Sequence, residues 1–270
     1  MSSTSIKKKT YIKSPLRYPG GKSRVSEELV GLFPELSEYR EPFVGGGSVF
    51  LMTKQRIPTA TFWINDLFKD LYCFWKELKE DPEKLTNSVK TIRTIYSEGR
   101  TLFETLNSDK HTPSDDMENA VKFFCLNRMT FSGTTMSGGY SNEAFTKRFT
   151  ESSIERCLKT APLLENVTIT NLDYSELLKR DGENVFLFMD PPYYLGKKSK
   201  LYGKDGNMHQ NFDHERFFSE CRDCKHKWLI TYNDCEYIRE LFKDYAISDL
   251  NFSYGMSNDK NGREIIIKNY

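Results

Sequence analysis

The chain has 270 residues, 38% of them hydrophobic and 29% charged. This suits one generous domain, or a domain with an insert, and excludes a chain disordered by composition. No purely apolar run outlasts Val185 to Met189, far short of the roughly 20 residues of a membrane helix, and the net charge of +1 singles out no class of partner. Lys7, Lys8 and Lys9 have no apolar stretch behind them, so no signal peptide is expected. Six scattered cysteines suit a reducing compartment better than a disulfide scaffold, and a cytoplasmic protein is expected.

In chain order, Met1 to Arg24 carries seven cations and no acid, and a second basic cluster is Lys197, Lys198, Lys200 and Lys204. Segregated charge in a near-neutral chain fits a protein that meets a polyanion on one face; a basic tail and a solvated loop are the plainer alternative. Val25 to Phe33 reads as a short helix. Tyr39 to Phe43 reads as a strand entering Gly45-Gly46-Gly47, with a helix over Ser48 to Lys54 and a strand over Thr59 to Ile64. Leu67, Leu71, Phe74, Trp75 and Leu78 fall at helical spacing. The helical pattern continues to about Leu164, broken by a Ser, Thr and Gly-rich stretch from Thr130 to Thr150 that is too long for an ordinary connection. Strand character returns at Val167 to Asn171, Val185 to Met189, Trp228 to Tyr232, Tyr245 to Asn251 and Glu264 to Lys268. Helical segments lie between them at Tyr174 to Arg180, Asp213 to Cys224 and Glu236 to Phe242. This alternation predicts an open α/β sheet, divided by a mostly helical insert.

Three stretches carry chemistry. Asp190-Pro191-Pro192-Tyr193 follows the buried-strand run Val185 to Met189, which puts a carboxylate at the carboxyl edge of the sheet, where open α/β folds bind ligands. The prolines remove backbone donors and leave carbonyls that only accept. Carboxylate, carbonyl and a flat tyrosine together suit an exocyclic amine on an aromatic ring. A strand that simply ends at prolines is the alternative. In Phe43-Val44-Gly45-Gly46-Gly47-Ser48, glycines between a strand and a helix allow close approach of backbone to ligand. Asp66 lies 20 residues beyond Gly46, where an acid can hold ribose hydroxyls. Phe50 occupies the third glycine position of a nicotinamide fingerprint, so a tight turn remains an alternative. Arg17-Tyr18-Pro19-Gly20-Gly21-Lys22-Ser23 mimics the end of a P-loop, but Leu16 stands where that motif needs its first glycine. Cys221, Cys224 and His226 hint at metal, yet one Cys pair at helical spacing reads as core-facing and no metal site is expected. His209 and His214 have no triad partner in the sequence.

The order of these stretches resembles the Dam-like family of DNA adenine N6-methyltransferases, the alpha group of amino-methyltransferases. The matching text is Arg17-Tyr18-Pro19-Gly20-Gly21-Lys22, Glu41 to Leu51, Asn65-Asp66, Leu126-Asn127-Arg128, Asp190-Pro191-Pro192-Tyr193 and Asn261-Gly262-Arg263-Glu264. The resemblance implies a Rossmann-like S-adenosylmethionine-dependent methyltransferase sheet over residues 1–75 and 160–270, with a helical target-recognition insert over 76–159. It implies S-adenosyl-L-methionine as methyl donor and double-stranded DNA as substrate, with no metal. Tyr18 and Lys22 would lie near the cofactor, and Phe43, Gly45, Gly47 and Ser48 would wrap its methionine portion. Asp66 would take the ribose hydroxyls, Asp173 would sit near the adenine, and Asp190 would border both cofactor and target base. Asp190, Pro191, Pro192 and Tyr193 would be the catalytic set, acting on an adenine flipped out of the duplex.

On DNA, Lys147, Arg148 and the basic segments Lys7 to Arg24 (with Arg17) and Lys197 to Lys204 (with Lys197 and Lys198) are the expected phosphate contacts, Arg128 is a further expected DNA contact, and Thr134, Thr135, Ser137, Tyr140 and Asn142 are the expected base readers. GATC-specific relatives follow Leu-Asn-Arg with Asn-Gly-Leu and then Arg-x-Asn. Met129 to Asn142 has neither, which implies another target. A monomer is expected, with a cognate restriction endonuclease as a possible partner. A cytosine N4-methyltransferase could use the same chemistry, although Asp rather than Ser at the first motif position favours adenine. A non-catalytic DNA-binding relative is the alternative from another class.

Overall fold

The computed structural model describes residues 10–108, 112–135, 138–194, 212–250 and 263–270. Its frame is a seven-stranded sheet of order β3-β2-β1-β4-β5-β7-β6. The strands are β1 (Glu38–Glu41), β2 (Thr61–Asn65), β3 (Val167–Thr170), β4 (Val185–Met189), β5 (Lys227–Asn233), β6 (Ala246–Leu250) and β7 (Glu264–Lys268). The pairs among β1 to β5 are parallel, and β7 runs antiparallel between β5 and β6. This mixed α/β sheet is consistent with the Rossmann-like methyltransferase fold expected from the resemblance.

The centre of the sheet explains its own sequence. All five residues of β4 are buried, as both faces of a covered parallel strand require. They alternate by side. Phe186 and Phe188 join a core with Tyr39, Phe62, Leu229 and Ile266. Val185, Leu187 and Met189 join the opposite core with Trp228, Ile230, Ile265 and Ile267. Two periods of pleat thus fix two hydrophobic layers, and a one-residue slip would exchange them. Strand β1 stops at Glu41, two residues earlier than the spacing predicts, because Pro42 has no N–H to continue a ladder.

The chain runs β1, β2, β3 towards one edge, then returns to place β4 on the other side of β1. The strand order therefore reverses between β1 and β4, and the crevice beyond their carboxyl ends is the ligand position of open α/β sheets.

Helix α1 (Ser26–Gly31) precedes β1 and α2 (Ser48–Arg56) follows the glycine run. Between β2 and β3 lie α3 (Lys69–Glu80), α4 (Pro82–Ile95), α5 (Gly99–Leu106), α6 (Asp116–Met129), α7 (Asn142–Arg148) and α8 (Glu151–Thr160). Helix α9 (Tyr174–Lys179) follows β3, while α10 (His214–Asp223) and α11 (Glu236–Leu241) flank β5. Local chemistry sets these boundaries. Asp81 caps α4 by accepting from the Lys84 N–H at 2.9 Å, with Pro82 at the first helical position. Asp115 caps α6 and Ser141 caps α7. The Ser141 cap explains why the polar stretch Thr130 to Thr150 contains a helix that its composition hides.

Helix α6 is buried on almost every side, from Met117 to Met129. Phe124 stacks on Phe74 of α3 at 5.7 Å between ring centroids, and one continuous apolar core runs from the sheet through α3 to Leu85, Leu102 and Phe149. No helix among the described residues is long and apolar enough to cross a membrane.

Candidate active site

The crevice between β1 and β4 opens into a cavity of about 560 Å³. Tyr18, Lys22, Phe43 to Val49, Asp66, Asp173 and Asp190 to Tyr193 contribute to its lining. The structure thus brings the expected cofactor and catalytic residues to one place.

Its floor is the glycine loop after β1. Gly45 and Gly47 have φ of 48° and 66°, a region where a side chain is strained. Space forbids one as well. A Cβ on Gly45 would lie 2.9 Å from the Tyr18 ring, and one on Gly47 2.7 Å from the Trp75 ring. Trp75 also donates from its indole N–H to the Gly45 carbonyl at 3.0 Å. The loop is therefore clamped between Tyr18 and Trp75, its backbone turned to the cavity.

Two residues at the end of β2 organise the neighbouring loops. The buried Asn65 amide is fully satisfied. Its Nδ2 donates to the carbonyls of Pro42 at 3.1 Å and Leu172 at 2.9 Å, while its Oδ1 accepts from the Thr170 hydroxyl at 2.7 Å and the Leu172 N–H at 2.8 Å. One side chain thus ties together the exits of β1, β2 and β3. Asp66 accepts from the N–H groups of Gly45 and Phe68, both at 3.0 Å. Burial pushes its carboxyl up to about 6, against those two bonds. Glu41, buried beneath the site, accepts from the Tyr39 hydroxyl, and burial drives it well above the usual carboxylate range.

Asp190 stands at the end of β4 between two donors. Lys22 Nζ reaches its Oδ2 and the Thr231 hydroxyl its Oδ1, each at 2.7 Å. The Lys22 ammonium, 6% exposed, also donates to the Gly20 carbonyl at 2.8 Å and lies 3.8 Å from Glu264 Oε1. It sits 5.2 Å from the centre of the Tyr193 ring. Burial, with Asp190 and Glu264 close by, holds the Tyr193 hydroxyl well above its ordinary pKa. That oxygen is buried without a hydrogen bond among the described residues.

An aromatic wall closes the far end. Phe43 packs against Tyr174 and Phe212 at 5.4 and 5.8 Å. Asp173 caps α9 through the Ser175 N–H and is gripped by both terminal nitrogens of Arg216, at 2.7 and 3.1 Å. Despite partial burial, those donors hold its carboxyl below the ordinary range. Ser48 begins α2 at the cavity edge.

The DNA-directed expectations divide. Arg17, half-buried, donates to the Thr130 carbonyl at 3.4 Å and has Arg148 as a like-charged neighbour that, after burial, lowers its pKa. Asn142, Lys147 and Arg148 are exposed on α7, with Lys147 paired to Glu143 at 3.0 Å. Tyr140 packs beside Phe103 with Arg100 over its ring and donates to Asn142 Oδ1 at 3.1 Å. Thr134 is half-buried and its hydroxyl donates to the Phe131 carbonyl, whereas Thr135 is buried, its N–H donating to the Thr130 hydroxyl oxygen. Ser137, Lys7, Lys8, Lys9, Lys197, Lys198, Lys200, Lys204, His209, Asn261 and Gly262 lie outside the described residues.

Arg128 corrects an expectation. It is 5% exposed. Its guanidinium donates to the carbonyls of Pro15 at 3.0 Å and Arg148 at 3.0 and 2.8 Å. Three of its five N–H groups are spent on main-chain carbonyls, and burial turns the guanidinium away from the surface a phosphate would approach. The preceding Asn127 works alongside it, exchanging hydrogen bonds with the N–H and carbonyl of Arg17. Asn127 and Arg128 of α6 therefore fasten the Pro15 to Arg17 stretch that leads into Tyr18 and Lys22 of the site. Cys221 is buried, and the described residues contain no cluster of three or more His, Cys, Asp or Glu side chains placed for a metal.

Asn65 stands in the matching text only beside Asp66 and Trp75 only in a helical pattern, while Thr231, Arg216 and Asn233 carry no functional signal in the sequence. Two more stand on the insert. Phe131 is 72% exposed in a turn beside Arg17, and Arg156 adds to the positive field around Arg128.

Known proteins resemble this one over most of its length. The DNA N-6-adenine-methyltransferase of Escherichia phage P1 is 28% identical over 86% of this chain, which spans 31% of that protein. The type II methyltransferase M.MjaIII of Methanocaldococcus jannaschii is 26% identical over 67% of the chain and 69% of its own length. The DNA adenine methylase of Vibrio cholerae is 26% identical over 66% of the chain and 64% of its own length. The chain thus spans less than two thirds of the first and third of these relatives. A family model for D12 class N6 adenine-specific DNA methyltransferases matches residues 18–256, and together with the sheet order and the site at its switch point this places the chain in that family.

Proposed function

We propose that this protein transfers a methyl group from S-adenosylmethionine to the N6 amine of an adenine in a short DNA motif. The observation that carries the reading is Asp190, held at the end of β4 between Lys22 and Thr231 and facing the same cavity as the glycine loop and Asp66.

The residues fit the cofactor. A cavity of about 560 Å³ suits a nucleoside-sized ligand. The loop at Gly45 and Gly47 has no room for a Cβ and leaves backbone facing the ligand. Asp66 would accept the ribose hydroxyls, Phe43 and Tyr174 would face the adenine, and Asp173 would accept from its amine. When bound, S-adenosylmethionine supplies an electrophilic sulfonium methyl. The protein must make the adenine amine nucleophilic, because its lone pair is delocalised into the ring. Asp190 and the Pro191 carbonyl would each accept one N6 hydrogen, favouring a pyramidal nitrogen and returning the lone pair. Tyr193 would stack on the base. Orientation and fixed dipoles account for most of the acceleration, and the base must leave the duplex to reach Asp190.

Residues 76–159 would serve as the target-recognition insert, with 1–75 and 160–270 catalytic. Arg17, Asn142, Lys147 and Arg148 lie on exposed or half-exposed parts of this face and would meet the duplex. Exposed Phe131 is suited to wedge against a base step. All six cysteines are free, which supports a reducing cytoplasmic setting. A monomer acting alone or beside a restriction endonuclease is consistent with relatives that include type II methyltransferases.

Binding should titrate with Asp66. Its carboxyl, raised to about 6, accepts both ribose hydroxyls at once only when ionised, because protonation turns one oxygen into a donor. Affinity for S-adenosylhomocysteine is therefore expected to be flat above that pH, then to fall about tenfold per unit below it. Calorimetry from pH 4.5 to 8 checks this, and an affinity independent of pH would rule out Asp66 as the ribose acceptor.

The function itself is tested with labelled S-adenosylmethionine and unmethylated DNA digested to nucleosides. Label in N6-methyl-2′-deoxyadenosine is expected. Label in N4-methyl-2′-deoxycytidine would move the activity to the other exocyclic amine, and donor binding without product would mark a non-catalytic relative.

A further inference from the structure

The prolines that define the reacting loop also deprive it of support. Pro191 and Pro192 have no N–H, and the β4–β5 ladder ends at the pair Met189 and Ile230. Beyond that pair, the last residues of β5 continue the contact with side chains. Thr231, wholly buried, donates from its hydroxyl to Asp190 Oδ1 at 2.7 Å. Two residues on, the Asn233 amide brackets the backbone of Tyr194. Its Oδ1 accepts from the Tyr194 N–H at 3.0 Å and its Nδ2 donates to the Tyr194 carbonyl at 2.7 Å. These two bonds reproduce a strand pairing with an amide side chain in place of main chain. The Tyr194 ring is stacked on Tyr237 at 4.4 Å and meets the edge of His214 at 5.3 Å.

Resting on the functional reading above, we propose that Thr231 and Asn233 form a clasp that positions Asp190 and Tyr193 for methyl transfer. The clasp sets the rate of the chemical step rather than the affinity for either substrate. A carboxylate offers about four lone-pair directions. Lys22 occupies one on Oδ2 and Thr231 one on Oδ1, so the directions left for the amine are fixed. Without Thr231 the carboxylate pivots about a single bond to Lys22, whose ammonium is shared with the Gly20 carbonyl and lies near Glu264. Asn233 anchors the other end of the loop, so Pro191, Pro192 and Tyr193 are held between two fixed points. Neither side chain need touch substrate. Both act through the groups that do, and are positioning residues.

Thr231→Val keeps the volume and removes the hydroxyl; Thr231→Ser keeps the hydroxyl. Single-turnover and steady-state methylation of DNA, thermal unfolding and S-adenosylhomocysteine binding would be measured for each. The valine variant is expected to lose at least about tenfold in rate, since small misplacements of reacting groups cost up to about a hundredfold. Its Tm, KM values and cofactor affinity should stay near wild type, and the serine variant should recover most of the rate. Asn233→Ala should lower the rate in the same way. Active wild type with an unimpaired valine variant overturns the clasp, as does a loss confined to KM or shared equally by valine and serine. Wild type that transfers no methyl overturns the functional reading, and the clasp falls with it.

Discussion

Asp190→Ala is expected to lower the rate of methyl transfer by about a thousandfold, the scale seen when a preorganised electrostatic partner is removed from a reacting group. The affinity for S-adenosylhomocysteine should change little, because the glycine loop, Asp66 and the aromatic wall remain. The loss is one of orientation and charge. The amine would keep the Pro191 carbonyl as an acceptor but lose the carboxylate that Lys22 and Thr231 hold in place. Asp190→Asn is a sharper test. It preserves shape and one acceptor oxygen, yet sets an amide against the Lys22 ammonium or the Thr231 hydroxyl, so a large part of the rate should still be lost. Single-turnover kinetics with binding measured in parallel separates the two effects. A rate within about threefold of wild type for the alanine variant would remove Asp190 from the chemistry.

Arg128→Ala is expected to destabilise the protein by about 3 kcal/mol, because it strips charged donors from the buried carbonyl of Pro15 and the partly buried carbonyl of Arg148. Urea unfolding measures this directly. The same variant distinguishes two roles for the residue. A phosphate contact would leave stability intact and reduce the salt dependence of DNA binding by about one unit of slope. The inward geometry predicts the reverse: lower stability with an unchanged slope, measured at a temperature where the variant remains folded. Arg148→Ala, on the exposed face of α7, is the companion for which the slope should fall.

Arg128 also shows where the sequence stops being informative. Leu-Asn-Arg carries the resemblance, and an arginine near a basic segment reads naturally as a DNA contact. Helix α6 is buried on nearly every side, however, and its polar residues serve as internal fasteners. Sequence does not show which way a guanidinium points. Strand β4 was legible because an unbroken apolar run followed by two prolines has few other solutions, and the glycine loop because its position after a strand constrains its purpose. The roles of Asn65 and Thr231 were not. Each is a short polar residue in a strand, and its importance comes from neighbours distant in sequence: Pro42, Thr170 and Leu172 for Asn65, and Asp190 for Thr231. Helix α7 was hidden for a different reason, since Ser, Thr and Gly around it mask a helix whose signal is the Ser141 cap.

Methylation of adenine in DNA through Asp190 is checked by incubating the protein with S-adenosylmethionine and bulk unmethylated DNA, then sequencing the product by a single-molecule method that detects modified bases. N6-methyladenine at one short motif, absent with Asp190→Ala, is the predicted result, and the departure at Met129 to Asn142 predicts that the motif is not GATC. DNA left unmodified by a protein that binds the donor would contradict the claim.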